Sequence, residues 1–284
     1  MIDEFEVAVI IPVFNAEKFI NRAVESAVVL EEVKEIILIF DGSPDNSLSI
    51  CKKLALNYEK VKLFHHQNFE NKGAGASRNL GIQNSECNFI SFLDADDYFL
   101  PNRFKNTKYI FEKNPKVEAV YEAVGTVLLD DSSRIPFSKM KNIAPENVEE
   151  LVSFVKYPLE GPQFFNSLIK ENNGYPHTDG ITIRRKLIEK AGFFNEKLRL
   201  HQDSEYWIRL SYEGWFAPGG TKDDIVAVRG VHSGNRITTH NIHSKHLYYK
   251  AVFSWIYKKK VPISIKFISL KKYFKWSIMN YRTH

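Results

Sequence analysis

The sequence predicts an α/β fold, a mostly parallel sheet flanked by helices, and two observations carry that reading. From Val7 to about Leu128 short apolar runs alternate with amphipathic stretches, which is the rhythm of βαβ units. The 284 residues, 44% of them hydrophobic, can bury a substantial core, which excludes a disordered or fibrous chain.

The apolar runs VAVIIPV, EIILIF, VKLFHH, NFISFL and VEAVYEA are the expected strands. Between them, Glu17–Leu30, Asp45–Tyr58, Gly73–Asn84 and Pro101–Lys113 have helical spacing or start signals, with Asp45 suited to cap the second and Pro101 to open the fourth. From about Asp130 to Asn173 the periodicity lapses in a stretch rich in Pro, Asn and charge, read as a mobile excursion over the site. ITIRRKLIEKAGFF restores a strand leading into a helix. A helix near Asp203–Glu213, a strand near Asp224–Val231 and an aromatic, basic, helical tail from about Thr239 complete the chain.

This order brings the loops Phe14–Ala16, Asp41–Asn46 and Asp94–Tyr98 to the carboxyl ends of strands. Open α/β sheets bind ligands along that edge, where loops converge and helix N-termini point inward.

The net charge of +5 divides into −7 for residues 1–224 and +12 for residues 225–284, where no Asp or Glu follows Asp224. Cys51 and Cys87 are too few for a disulfide framework and form no zinc spacing, so reduced thiols are expected. The start MIDEFEVAVIIPVFN has no basic segment before its apolar run, and no uncharged apolar stretch reaches the roughly 18 residues of a spanning helix. A soluble or peripheral cytoplasmic protein is therefore expected.

The run ending at Leu93 stops at Asp94-Ala95-Asp96-Asp97. Carboxylates so close repel one another, and a hard divalent cation bridging them to a diphosphate would relieve the repulsion. The bland alternative makes Asp94 and Asp97 caps of a helix beginning near Pro101.

VAVIIPVFNAEKFINRAVES, EIILIFDGSPDNS, NKGAGASRNLGI and FISFLDADDYFLP occur in the order and spacing of the family 2 glycosyltransferases of GT-A fold, and the resemblance spans roughly residues 5–240. It is closest in kind to the inverting enzymes of bacterial polysaccharide and lipopolysaccharide synthesis. The resemblance implies a catalytic domain over residues 1–238, with a nucleotide-binding part to about 128 and an acceptor-binding part from about 129. The helical tail, 239–284, follows it.

Carried over by motif, Pro12, Phe14 and Asn15 lie against the base and ribose, and Asp41 accepts a hydrogen bond from a pyrimidine ring. The alternatives are Phe14 as core and Asn15 as a helix cap. Lys72, Ala76 and Arg78 line the nucleotide or diphosphate, Asp94 and Ala95 the ribose side, and Asp96 ligates Mn2+ or Mg2+. His232 follows the last strand where similar enzymes place a metal or diphosphate ligand.

HQDSEYWIRL resembles the family's helix start carrying the catalytic base, which falls on Asp203 at the N-cap, with Glu205 as rival. Trp207 is acceptor wall or core, and Arg209 supports the fold through an ion pair. Phe40 and Gln202 stand where the family has acids.

The implied reaction is inverting transfer from a UDP-sugar or related donor to a glycan or lipid-linked acceptor. The basic aromatic tail suits an anionic membrane surface at the inner face of the cell membrane, against a hairpin packed on the domain or a homo-oligomer interface. No nucleic-acid-binding module is recognisable.

Two other readings are weighed. A sugar nucleotidyltransferase needs a Gly-rich basic loop after the first strand, and Pro12-Val13-Phe14-Asn15 is not one. A non-catalytic nucleotide or glycan binder is motivated by Phe40 and Gln202. A dinucleotide fingerprint is excluded because Arg78 occupies the third glycine position.

Overall fold

A computed structural model describes residues 4–235 and 242–281. The strands are β1 Val7–Val13, β2 Val33–Phe40, β3 Val61–His65, β4 Phe89–Phe92, β5 Tyr98–Phe99, β6 Ala119–Tyr121, β7 Ala123–Leu128, β8 Ile181–Arg184, β9 Phe216–Pro218 and β10 Ile225–Val231. The helices are α1 Ile20–Val28, α2 Ser47–Asn57, α3 Ala74–Gln83, α4 Lys105–Lys113, α5 Arg134–Lys141, α6 Gly161–Lys170, α7 Arg185–Ala191, α8 Gln202–Glu213, α9 Ile242–Tyr257 and α10 Ile263–Tyr281.

The main sheet runs β3-β2-β1-β4-β8-β6-β9. Strands β3, β2, β1 and β4 are mutually parallel, whereas β8 is antiparallel to both β4 and β6. A smaller sheet, β5-β10-β7, lies beside the end of β4. The expected mostly parallel sheet is present, because β1, β2 and β4 are buried on both faces and need helices above and below, with β3 as the half-exposed edge.

Strand alternation divides the core. Ala8 and Ile10 of β1 join Ile37 and Ile39 of β2 on one face, under α6 and α8, and Val7, Val9, Ile11 and Val13 join Leu38 on the other, under α1 and α4. Helix α1 covers that second face with Ile20, Ala23, Val24 and Ala27, one helical stripe. Helix α3 approaches β1 so closely that a Cβ at Gly81 would collide with the Ile10 side chain, and glycine is required there for packing.

Several sequence expectations need correction. The fourth helix begins at Lys105, because Pro101–Phe104 form turns and β5 stands between them and the acidic loop. Asp94 and Asp97 therefore cap no helix. VEAVYEA divides into β6 and β7, strands of different sheets, at Glu122, whose carboxylate turns inward to meet the fully buried Arg103 at 2.8 Å. Arg103 also donates to Ser91 Oγ and the Ile181 carbonyl, so the ion pair ties β4 to β8.

Residues 130–173 are not an irregular excursion, since they carry α5 and α6. Phe164, Phe165, Leu168 and Ile169 of α6 enter the main core, a helical stripe interrupted in sequence by Asn and Ser. The N-cap of α2 is Asn46 rather than the expected Asp45, whose carboxylate, one residue earlier, accepts from Ser47 N at 3.1 Å and from Glu17 N at 2.9 Å, tying the start of α2 to the segment before α1.

The tail forms a hairpin, α9 against α10, packed on α8 and α6. Tyr248, Val252, Ile256 and Ile265 belong to the main core. The expected boundary between 238 and 239 falls in residues 236–241, outside the described residues. No described helix is long and apolar enough to cross a membrane.

Candidate active site

The parallel strands β1, β2 and β4 end together, and their loops floor a cleft of about 1080 Å³ whose far wall is the start of α8, the end of β10 and part of α5. Pro12, Phe14, Asn15, Asp41, Arg78, Asp94, Ala95, Asp96, Asp203 and His232 all line it. Lys72 and Ala76 do not: Ala76 is buried in α3, and the Lys72 ammonium extends toward Glu70 at 3.8 Å.

Phe14 is half-buried in the cleft wall, not core. Asn15 holds a left-handed backbone, φ 51°, and its N–H donates to Ser43 Oγ; α1 starts only at Ile20, so Asn15 is no cap. Asp41, buried at the end of β2, accepts from Lys72 N at 2.7 Å and Gly73 N at 2.9 Å. That carboxylate fixes the turn into α3. Phe40 beside it packs edge-on against Phe69, which accounts for an apolar residue at that position.

Gly73 and Gly75 open α3 where the α7–α8 loop crosses it. A Cβ at Gly73 would lie 2.5 Å from Arg199 Nη1, and one at Gly75 2.6 Å from Gln202 Oε1. Gln202 is thus a buried spacer between α3 and α8, a place suited to a neutral amide.

In the acidic loop each carboxylate has its own environment. Asp94 Oδ1 accepts from Arg78 Nη2 at 2.6 Å, and the Asp94 N–H donates to Asp179 Oδ1 at 3.0 Å. Asp96 Oδ2 lies 3.0 Å from His232 Nε2 and accepts from Asn235 Nδ2 at 2.8 Å. Asp97 points inward, taking the Gly230 N–H at 2.8 Å.

Behind the loop, Asp97, His177 and Asp179 hold ligand atoms within 4.8 Å of one another, a set that could hold a metal. Burial, and then Asp179, push the Asp97 carboxyl well above its ordinary value. Burial also opposes ionisation of Asp179, but His177, the Asp97 hydroxyl and the Asp94 N–H outweigh it and hold Asp179 down to about 2. The pair therefore shares one proton, on Asp97, and braces the Asp94–Asp97 loop from beneath.

At the far wall, α8 begins at Gln202 after His201, whose φ of 60° turns the chain, so Asp203 sits in the first turn and is not the N-cap. It is half-buried, lines the cleft and takes no hydrogen bond or ion pair among the described residues. Glu205 is buried and engaged with Arg209 at 2.8 Å, and Arg209 also donates to the Ala191 and Phe193 carbonyls. Trp207 is fully buried core.

Sequence reasoning missed Asp179, His177, Asn235 and Asp130. Asp130 accepts from Ser132 and Ser133 and from Ser233 N at 2.8 Å, tying the end of β7 to the loop after β10 that bears His232. Asp179 precedes β8, which runs antiparallel to β4, so it arrives at the end where β4 delivers Asp94. Only knowledge of that pairing would have exposed it.

The family model described as Glycosyl transferase family 2 matches residues 8–191. An uncharacterised glycosyltransferase of Rickettsia felis is 29% identical over 240 residues, covering 83% of this chain and 36% of that protein. The minor teichoic acid biosynthesis protein GgaB of Bacillus subtilis is 32% identical over 113 residues, 39% of this chain and 12% of GgaB. Among solved structures, S. aureus TarS 1-349 in complex with UDP-GlcNAc matches 95% of this chain and 73% of its own, with a TM-score of 0.71 at 16% identity, a likeness of fold. The chain spans about a third of the length of the Rickettsia relative.

Proposed function

We propose, from the premise that the chain belongs to glycosyl transferase family 2, that it transfers a sugar from a UDP-sugar to a glycan or lipid-linked acceptor with inversion. The setting is synthesis of a cell-surface polysaccharide or lipopolysaccharide, in keeping with the likeness to GgaB. The observation that carries the reading is the meeting of Asp96 and His232 at 3.0 Å in a cleft whose opposite wall presents Asp203, which has no hydrogen bond or ion pair among the described residues.

Asp96 and His232 offer one carboxylate oxygen and one imidazole nitrogen for Mn2+ or Mg2+, leaving positions for diphosphate oxygens and water. Such a metal neutralises the donor and stabilises the departing nucleoside diphosphate. The Asp97–His177–Asp179 set fits that role less well, because Asp97 and Asp179 are buried and already engaged with the Gly230 and Asp94 N–H groups. Their part is to hold Asp94 and Asp96 toward the cleft.

Pro12, Phe14 and Asn15 form the wall for base and ribose, and Asp41 keeps a lone pair for a pyrimidine N–H beyond those taken by Lys72 and Gly73. Lys72 and Ala76 contribute through the turn that Asp41 ties down, Arg78 through its grip on Asp94, and Ala95 by its close backbone in the cleft floor. Asp203 accepts the acceptor hydroxyl's proton as the oxygen attacks the anomeric carbon.

The tail supports a peripheral place at the inner membrane face. Ile263, Phe267, Phe274, Ile278 and Tyr281 form an exposed ridge on α10, opposite the buried Ile265 and Ser269, with Lys266 and Lys271 on its flanks. A second copy would bring lysines against lysines with no acid in residues 225–284 to pair them, so an anionic bilayer is the better partner.

A panel of nucleotide-sugars, with and without Mn2+, scored for thermal stabilisation and nucleotide release, tests the proposal. One UDP-sugar should stabilise only with metal and release UDP slowly. Stabilisation by a glycan, with no response to any nucleotide, would replace the transferase by a binding protein.

A further inference from the structure

Beside the acidic loop, the end of β10 and of α5 bring two cations to the cleft for which no anionic partner is found among the described residues. Arg229, on β10, is only 9% exposed, and Lys141, the last residue of α5, is half-buried beside it; both line the cleft. They share one ring, with the guanidinium carbon 5.3 Å and the ammonium nitrogen 5.7 Å from the centroid of Phe137. Among the described residues no carboxylate is paired with either.

Burial, and then the charge of Arg229, push the Lys141 ammonium below its ordinary value. Two like charges, partly dehydrated and close together, are costly to keep. A ligand that supplies the missing negative charge would turn that cost into affinity.

Alternation along β10 separates these cations from the metal loop. Gly230 gives its N–H to Asp97, and a Cβ there would lie 2.6 Å from the Asp96 carbonyl oxygen, so Gly230 faces the acidic loop. Arg229 and Val231 face the other way, and Val231 is buried with Phe137 and Val148. Arg229 and Lys141 therefore open onto the cleft from the face of β10 opposite the one that meets Asp96 and Asp97.

We propose that Arg229 and Lys141 form a subsite for an oxyanion, phosphate or carboxylate, carried by the acceptor at a distance from the hydroxyl that receives the sugar. The guanidinium fork takes two oxygens of such a group and the ammonium another. The word acceptor rests on the transferase reading; the anion site does not.

Calorimetric titration of the full chain, saturated with UDP and Mn2+, tests the subsite with glycerol 3-phosphate and glucuronate, using glycerol and glucose as uncharged counterparts. At least one anion should bind where its counterpart does not, and which one binds identifies the source of the charge. Arg229→Gln and Lys141→Gln should each weaken that binding by about tenfold, the loss of one charge-assisted contact, while UDP affinity stays unchanged. Lys141→Gln, at a helix end, keeps the test decisive if Arg229→Gln does not fold, and by removing the repulsion it should raise the melting temperature.

Equal binding of anions and counterparts, unchanged anion binding in Lys141→Gln, or anion binding that occurs only when UDP is left out would each overturn the subsite. Anion binding in a chain that ignores UDP and Mn2+ would instead remove the transferase reading and leave the subsite standing.

Discussion

Along the strand-end floor of the cleft Asp41, Asp94 and Asp96 each hold a partner within about 3 Å: the Lys72 N–H, the Arg78 guanidinium and the Asn235 amide. Elsewhere on the cleft wall, Asp203, Lys141 and Arg229 hold no ionic or hydrogen-bonded partner among the described residues. The floor is preorganised, with its carboxylates locked in place before any ligand arrives, as electrostatic catalysis requires. That wall is left incomplete, and its charges are satisfied only by what enters. A constant donor suits the first arrangement and a variable acceptor the second.

Altering the floor at the proposed metal ligand should have the largest effect. Asp96→Asn is expected to lower transfer by about a thousandfold or more, with an unchanged melting curve, because the carboxylate is half-exposed and holds no core element. Steady-state UDP release against circular dichroism separates the two effects.

Next comes the brace under the floor. Asp179→Ala should cost about 3–5 kcal/mol in urea unfolding, since it leaves the Asp94 N–H without its buried acceptor and removes the carboxylate beside His177. Asp97→Asn should cost less than about 1 kcal/mol, because Asp97 carries the shared proton and an amide imitates a neutral carboxyl. The reverse ranking would mean the proton is on the other partner. Asp179, depressed to about 2, adds stability that is complete above its unfolded value near 4 and lost as pH falls toward 2. Asp179→Asn should therefore flatten acid unfolding in that window.

The smallest folding effect belongs to the tail ridge. Phe267→Ser with Ile278→Ser should change unfolding by no more than about 0.5 kcal/mol, as both side chains are exposed. The same pair should abolish sedimentation with vesicles containing anionic lipid. Retained sedimentation would move membrane contact off α10, and loss of a dimer on gel filtration would assign the ridge to self-association.

The fold was legible where strands are apolar on both faces. β1 through β4 announce themselves as runs of Val, Ile and Phe bounded by turn residues, and the loops that follow them deliver Asp41 and Asp94–Asp97. Where one residue changes the topology, local pattern fails. Glu122 splits an apparently single strand because its buried partner, Arg103, comes from a distant turn. His232 and Asp203 could be placed from motif and position, but the start of α8 depended on the left-handed backbone of His201, which no capping residue signals. Asp179 was invisible because antiparallel pairing, not sequence proximity, brings it to Asp94. Arg229 and Lys141 meet through tertiary packing on Phe137, and charge counts alone do not reveal which cations lack partners.

The most direct measurement compares the melting temperature and UDP release of the wild type, Asp96→Asn and Asp203→Asn with UDP-GlcNAc and other UDP-sugars in Mn2+. A preorganised metal floor facing a separate proton acceptor predicts that one UDP-sugar stabilises wild type and Asp203→Asn alike and fails to stabilise Asp96→Asn, while only wild type releases UDP. Full metal-dependent stabilisation of Asp96→Asn, or undiminished turnover by Asp203→Asn, would contradict it.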